Sequence, residues 1–103
     1  MACRLLVTRS AEEDRDQIIE YLLNDLHSRQ AAGHFLDEME HALSRICDYP
    51  ELCSLSQDEH LASLGYRCCR FMSYLLLYKF DAPSNAMLVG RIFHARQDYA
   101  KLV

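Results

Sequence analysis

The hydrophobic period of this chain changes once, near Gly65, and that change decides its fold class. Upstream, Ile18, Ile19, Leu22, Leu23 and Leu26, followed by Ala32, Phe35, Leu36, Met39, Leu43 and Ile46, recur at the three- and four-residue spacing of amphipathic helices. Downstream, Tyr66–Phe71, Tyr74–Phe80 and Met87–Phe93 are short runs rich in aromatic and branched residues. They are divided by Met72-Ser73 and by the segment 81–85, the punctuation of an antiparallel meander. In the middle run Tyr74, Leu76, Tyr78 and Phe80 alternate with Leu75, Leu77 and Lys79, so both faces are largely apolar and the strand belongs inside the sheet.

The helical half has its own start and stop signals. Arg4–Thr8 is a short apolar strand, and Ser10-Ala11-Glu12-Glu13 after it has the serine and glutamate spacing of a capping box. Glu12, Glu13 and Asp14 put negative charge in the first turn, where the helix dipole favours it. This helix ends near residues 24–27, Ser28 caps a second one, and Asp48-Tyr49-Pro50 stops that. The short connection makes the two helices an antiparallel hairpin. Glu51–Leu64 has no sustained period and reads as a loop with one helical turn. The order β-α-α-β-β-β results: an α+β fold in which a helical hairpin packs on a small, mainly antiparallel sheet. At 103 residues without repeats or linkers, residues 1–103 form one domain.

Charge divides at the same boundary. Residues 1–63 carry 5 basic and 13 acidic residues, and residues 64–103 carry 6 and 2, so a net of −4 conceals an acidic helical half and a basic strand half. An overall acidic chain does not have the footprint of a protein that coats nucleic acid. The longest apolar runs, such as Tyr74–Tyr78, fall far short of the roughly 20 residues of a membrane span. The apolar run at the amino terminus stops at Thr8-Arg9, too short for a signal-peptide core, and a cytoplasmic protein is expected. Cys3, Cys47, Cys53, Cys68 and Cys69 are odd in number and contain no C-x-x-C, so reduced thiols are expected, with neither a zinc site nor a disulfide framework.

The other chemistry-bearing groups are weaker signals. His27, His34 and His41 recur every seven residues, but seven residues of helix rise about 10.5 Å, too far for two imidazoles to share an ion. His34, Glu38 and His41 lie opposite the apolar stripe, which makes them a solvated surface, and no metal or cofactor is expected. Adjacent Cys68 and Cys69 point to opposite faces of a strand, and nothing in the spacing pairs either with His94 as nucleophile and base.

The informative cluster is Tyr66-Arg67, Arg70, and Gly90-Arg91-Ile92-Phe93-His94-Ala95-Arg96-Gln97-Asp98-Tyr99. Arginine, histidine and tyrosine together can cleave RNA without a metal: a base activates the 2′-hydroxyl, arginines hold the phosphorane charge and an acid serves the leaving oxygen. A basic strand face equally suits an acidic protein segment. With Ala11-Glu12-Glu13-Asp14, Ala31-Ala32, Phe35-Leu36, Tyr49-Pro50 and Leu77-Tyr78, these residues resemble the RelE/ParE superfamily of type II toxins, in its ParE-like, plasmid-stabilisation branch, over nearly the whole chain.

The resemblance implies a toxin neutralised by a co-expressed antitoxin whose carboxyl-terminal segment wraps it, in a hetero-oligomer. RelE-like members are ribosome-dependent messenger RNA endonucleases, and ParE-like members poison DNA gyrase. The Tyr74–Tyr78 strand lacks the arginine or histidine that the nucleases often carry there, so the resemblance favours a gyrase-binding toxin without chemistry of its own. Target or antitoxin binding is then expected at Tyr66, Arg67, Arg70, Arg91, His94, Arg96, Asp98 and Tyr99. The alternatives are a nuclease that uses Arg67, Arg91, His94 and Tyr99 on ribosome-bound message, and a non-toxic module that only engages an antitoxin. The antitoxin segment is expected to be acidic or amphipathic, docking as a helix or an added strand.

Overall fold

A computed structural model of the chain describes residues 3–96. The order is β1 (Arg4–Val7), α1 (Arg9–Glu20), a π-helical turn (Tyr21–Asp25), α2 (Arg29–Asp48), α3 (Glu59–Ser63), β2 (Arg67–Phe71), β3 (Tyr74–Asp81) and β4 (Ala86–His94). The sheet runs β1-β4-β3-β2, with β1 parallel to β4 and the other pairs antiparallel. It is the α+β sandwich expected, with β3 and β4 both interior.

The first helix starts earlier than its capping-box signature predicts. Thr8, not Ser10, is the cap: its hydroxyl accepts from Ala11 N–H at 3.1 Å and donates to the Gly90 carbonyl at 2.7 Å. The reason is tertiary, since pairing of β1 with β4 delivers Thr8 to Val89 and Gly90, and no local pattern shows that. The apolar stripe of α1 also splits. Ala11 and Leu22 are buried and Ile18 and Ile19 pack on the core, but Leu23 and Leu26 are exposed. In the π-turn Leu26 N–H reaches the Tyr21 carbonyl five residues back, and the wider turn rotates Leu26 off the buried seam. His27, at φ 50°, ends this segment, and Ser28 caps α2 through Ala31 N–H as expected.

The helical layer and one sheet face enclose the main core, centred on Phe35, Ile46, Leu76, Tyr78, Met87 and Val89. The single helical turn expected in Glu51–Leu64 is α3, and it seats Leu61 against Leu77 and Phe93 on the other sheet face, a second small core. One bulge serves both. Leu77 pairs with Arg91 and Tyr78 with Val89, which leaves Gly90 as the extra residue and turns Val89 and Ile92 toward the same core.

The cysteines overturn the expectation of uniformly reduced thiols. Cys3 and Cys47 form a disulfide, with Cα atoms 5.5 Å apart and 44 positions apart in sequence. It ties the start of β1 to the last turn of α2, a juxtaposition that cysteine spacing alone cannot reveal. Cys53, Cys68 and Cys69 remain thiols.

Candidate functional site

The expected cluster is distributed over three places. At the β4 edge, where β1 has ended, a cleft of about 510 Å³ is lined by Asp14, Gln17, Tyr21, Tyr74, Arg91, His94 and Arg96. On the β2 side, beneath the segment 48–55, a groove of about 820 Å³ is lined by Tyr49, Pro50, Leu52, Leu55, Arg67 and Phe80, with Asp48 and Glu51 also contributing. Beside α3, Tyr66 and Arg91 line a third cavity of about 410 Å³ with His60 and Leu64.

Asp14 organises the first cleft. The Arg91 guanidinium grips it with two bonds, Nε to Oδ2 at 2.7 Å and Nη2 to Oδ1 at 3.0 Å, and Ile92 N–H also donates to Oδ2 at 3.0 Å. One carboxylate thus neutralises the arginine and satisfies a backbone donor on the strand edge that β1 leaves uncovered. Their side chains are 13% and 23% exposed, so the pair is shielded from solvent. Hydrogen bonding to Asp14 pushes the Arg91 pKa further up, and the guanidinium also stacks over Phe93 at 4.9 Å. His94 Nδ1 accepts from Arg96 N–H at 3.2 Å, and its ring meets the edge of Tyr74 at 5.7 Å. Burial, with Tyr21 nearby, raises the Tyr74 pKa, so this phenol stays protonated.

Arg67 is committed elsewhere. Its Nη1 donates to the Cys53 carbonyl at 2.8 Å, inside the groove that Tyr78 closes by donating its hydroxyl to the Pro50 carbonyl at 3.0 Å. The register sets Arg67 opposite Tyr78 and His94 opposite Tyr74. Two strand spacings across and four residues along place the Cα atoms of Arg67 and His94 about 16 Å apart. Arg70 is exposed on the α3 face, its Nε directed at the Met72 carbonyl at 3.4 Å. Tyr66 packs against Gly90 under the Lys79 ammonium, 5.0 Å from the ring centre. Asp98 and Tyr99 lie outside the described residues.

Arg91, His94 and Arg96 are therefore brought together, Tyr66 meets Arg91 on the α3 side, and Arg67 and Arg70 stand apart from the cleft. Asp14 was legible only as first-turn charge, although Ala11, Asp14, Ile18 and Leu22 share one helical stripe, so a carboxylate interrupts an otherwise apolar seam. That interruption is the signal of a buried partner for Asp14. Tyr21 and Gln17, placed one turn further along, had no sequence signal. Cys68 and Cys69 lie on β2, away from His94, and burial pushes the Cys69 thiol up to about 12, which keeps it protonated. His41 lies 3.7 Å from Glu38 on the exposed face of α2. Among the described residues no helix is long and apolar enough to cross a membrane.

Known proteins share this fold. The chain is similar to a chain of the chromosomal ParDE toxin–antitoxin system from P. aeruginosa, with 14% identity, a TM-score of 0.71, and coverage of 90% of this chain and 96% of that one. It is similar to a chain of the intact RelBE toxin–antitoxin complex from E. coli, with 13% identity, a TM-score of 0.62, and coverage of 93% and 100%. A chain of the RelBE2 toxin–antitoxin complex from Mycobacterium tuberculosis shares 20% identity at a TM-score of 0.54, with coverage of 91% and 99%. These likenesses concern the fold. No curated protein matches the chain in sequence. Residues 5–99 match the family described as ParE toxin of type II toxin-antitoxin system, parDE, and the chain belongs to that family of RelE/ParE toxins.

Proposed function

We propose that this toxin acts by binding a protein target, DNA gyrase, and is neutralised in the cytoplasm by an antitoxin segment of acidic or amphipathic character. The observation that carries the reading is the Asp14–Arg91 pair. A guanidinium whose charge is matched by a shielded carboxylate is a poor clamp for a phosphorane, because transition-state stabilisation needs donors aimed at developing charge. The nuclease reading also needs Arg67, whose backbone lies roughly 16 Å from that of His94 and whose guanidinium is turned to the Cys53 carbonyl in a separate groove. Separate basic positions beside exposed Tyr49, Leu52 and Leu55 suit an extended protein partner.

A supercoiling assay with the purified toxin tests this: gyrase is inhibited at near-stoichiometric toxin, and antitoxin restores activity. Unaffected gyrase at stoichiometric excess, with growth still arrested in cells, refutes it. The nuclease reading draws on the meeting of Arg91, His94, Arg96 and Tyr74 in one cleft. It requires new messenger RNA ends at the ribosomal A site after induction. Induced cells that grow normally would leave only antitoxin binding.

A further inference from the structure

Beyond the Cys3–Cys47 disulfide, and independently of the toxin's target, we propose that Cys53 and Cys69 are a redox-active dithiol. It closes to a second intramolecular disulfide, stapling the segment after α2 to β2.

The register carries this. Leu55 bridges Arg67 in antiparallel sense, Cys68 N–H donates to the Ser54 carbonyl at 3.1 Å, and Ser56 N–H donates to the Tyr66 carbonyl at 2.9 Å. Those two bonds make residues 54 and 68, and 56 and 66, the hydrogen-bonded pairs of the ladder. Leu55 opposite Arg67 is a non-hydrogen-bonded pair, and the same register carried two residues toward the chain start would set Cys53 opposite Cys69. Directly opposed residues in that position have Cα atoms about 4.5 Å apart, within the span a disulfide requires, whereas hydrogen-bonded pairs sit farther apart. Alternation along β2 puts Cys69 on the main-core face and Cys68 on the other, and Cys53 packs on that same main core. Cys53 is near enough to Cys69 to add to the effect of burial in raising its pKa. Cys68, on the opposite face of β2, is not the partner.

Exposure sets the order of events, since Cys53 is half-buried and Cys69 is 3% exposed. With a low-molecular-weight disulfide as oxidant, the Cys53 thiol gives up its proton and its sulfur attacks the oxidant, forming a mixed disulfide and releasing one thiolate. Cys69, passing its proton to the thiolate released in the first step, then attacks the Cys53 sulfur and expels the second thiolate. Two protein thiols are oxidised, one small disulfide is reduced to two thiols, and the released thiolates take up the two protons. The new bond would fix the residue whose carbonyl holds Arg67, and with it one wall of the β2-side groove.

The test uses the full chain incubated with oxidised glutathione, followed by alkylation, digestion and mass spectrometry. Alkylatable thiols fall from three to one, and the linked peptides joining Cys53 to Cys69 appear in wild type and in Cys68→Ser. They disappear in Cys53→Ser, at a half-buried position, and in Cys69→Ser. Three thiols still alkylated, glutathione retained on Cys53, or Cys53 joined instead to Cys68 or Cys47 would each overturn the assignment.

Discussion

Arg91 and Arg67 are the same residue type on strands two spacings apart in one sheet, yet their charges are handled differently. At the β4 edge Arg91 meets a carboxylate with two directed bonds, and the same carboxylate holds the Ile92 amide. On the β2 side Arg67 meets only a carbonyl dipole, and among the described residues it has no carboxylate within ion-pair distance. A matched, shielded pair fixes geometry and returns little field to the surface, whereas an arginine on a carbonyl keeps its net charge available to a partner. Of two basic residues equally prominent in sequence, one therefore belongs first to the fold and the other is better placed for recognition.

Removing Asp14 strikes hardest at this contrast. Asp14→Ala leaves a half-buried guanidinium and a strand-edge amide without their acceptor, and a loss of about 3 kcal/mol is expected from urea denaturation. Asp14→Asn keeps one acceptor oxygen and costs less. A double-mutant cycle with Arg91→Ala gives a coupling well above that of a surface pair. If Asp14→Ala is neutral, the β4 edge is not held by this pair.

Gly90 comes next. A Cβ there would lie 3.0 Å from Tyr66 Cε1, with the ring hydroxyl at 3.5 Å, so Gly90→Ala forces the ring aside and costs about 2 kcal/mol. Adding Tyr66→Leu should recover much of that loss in a thermal melt. No recovery would place the glycine's role in the bulge backbone and not in the close approach.

How legible these features were depends on whether they are local. Ser28, the stripe of α2 and the strands near 67–71, 74–81 and 86–94 are set by neighbours within a few residues, and periodicity placed each of them. Thr8 as cap, the Cys3–Cys47 bond and the Asp14–Arg91 pair join residues 82, 44 and 77 positions apart, where local pattern carries no information. Tyr66, Arg67, Arg70, Arg91, His94 and Arg96 do not share one cleft for a related reason. Strand alternation was read correctly within each run, but the bulge at Gly90 and the strand order decide which runs share a face.

Alkaline pH separates the two regions by a different route. Tyr78 and Cys69 sit on the β2 side, and burial raises both: Cys69 from 9.0 to about 12, and Tyr78 well above 10. A raised pKa in the folded state means that the native protein holds its proton longer than the unfolded chain. Stability is therefore complete below pH 9 and declines as pH climbs from the unfolded values toward the folded ones. Arg91, held above its ordinary value by Asp14, stays charged over that window, so the Asp14–Arg91 pair contributes no decline, and Tyr74, also raised by burial, is the β4-side group that adds to it. Tyr78→Phe should flatten part of the slope of the denaturation midpoint between pH 9 and 11, while losing the bond to Pro50. An unchanged slope would move the alkaline transition elsewhere.

Arg67→Ala gives the smaller stability effect and the larger recognition effect. One hydrogen bond to a carbonyl is worth about 1 kcal/mol, and the truncated site is open enough for water to take over the Cys53 carbonyl. The fold should survive, with a denaturation midpoint close to wild type. If the β2-side groove receives the acidic segment of an antitoxin, the same substitution leaves a partner carboxylate unmatched, and affinity should fall several-fold with a reduced salt dependence. Arg91→Ala, normalised for its lost stability by measuring at low temperature where the variant is folded, should lower affinity less. The reverse order, with Arg91→Ala weakening the complex more among fully folded molecules, would make the β4 cleft the docking surface and would assign to Arg67 the structural part that the Asp14 contact now gives to Arg91.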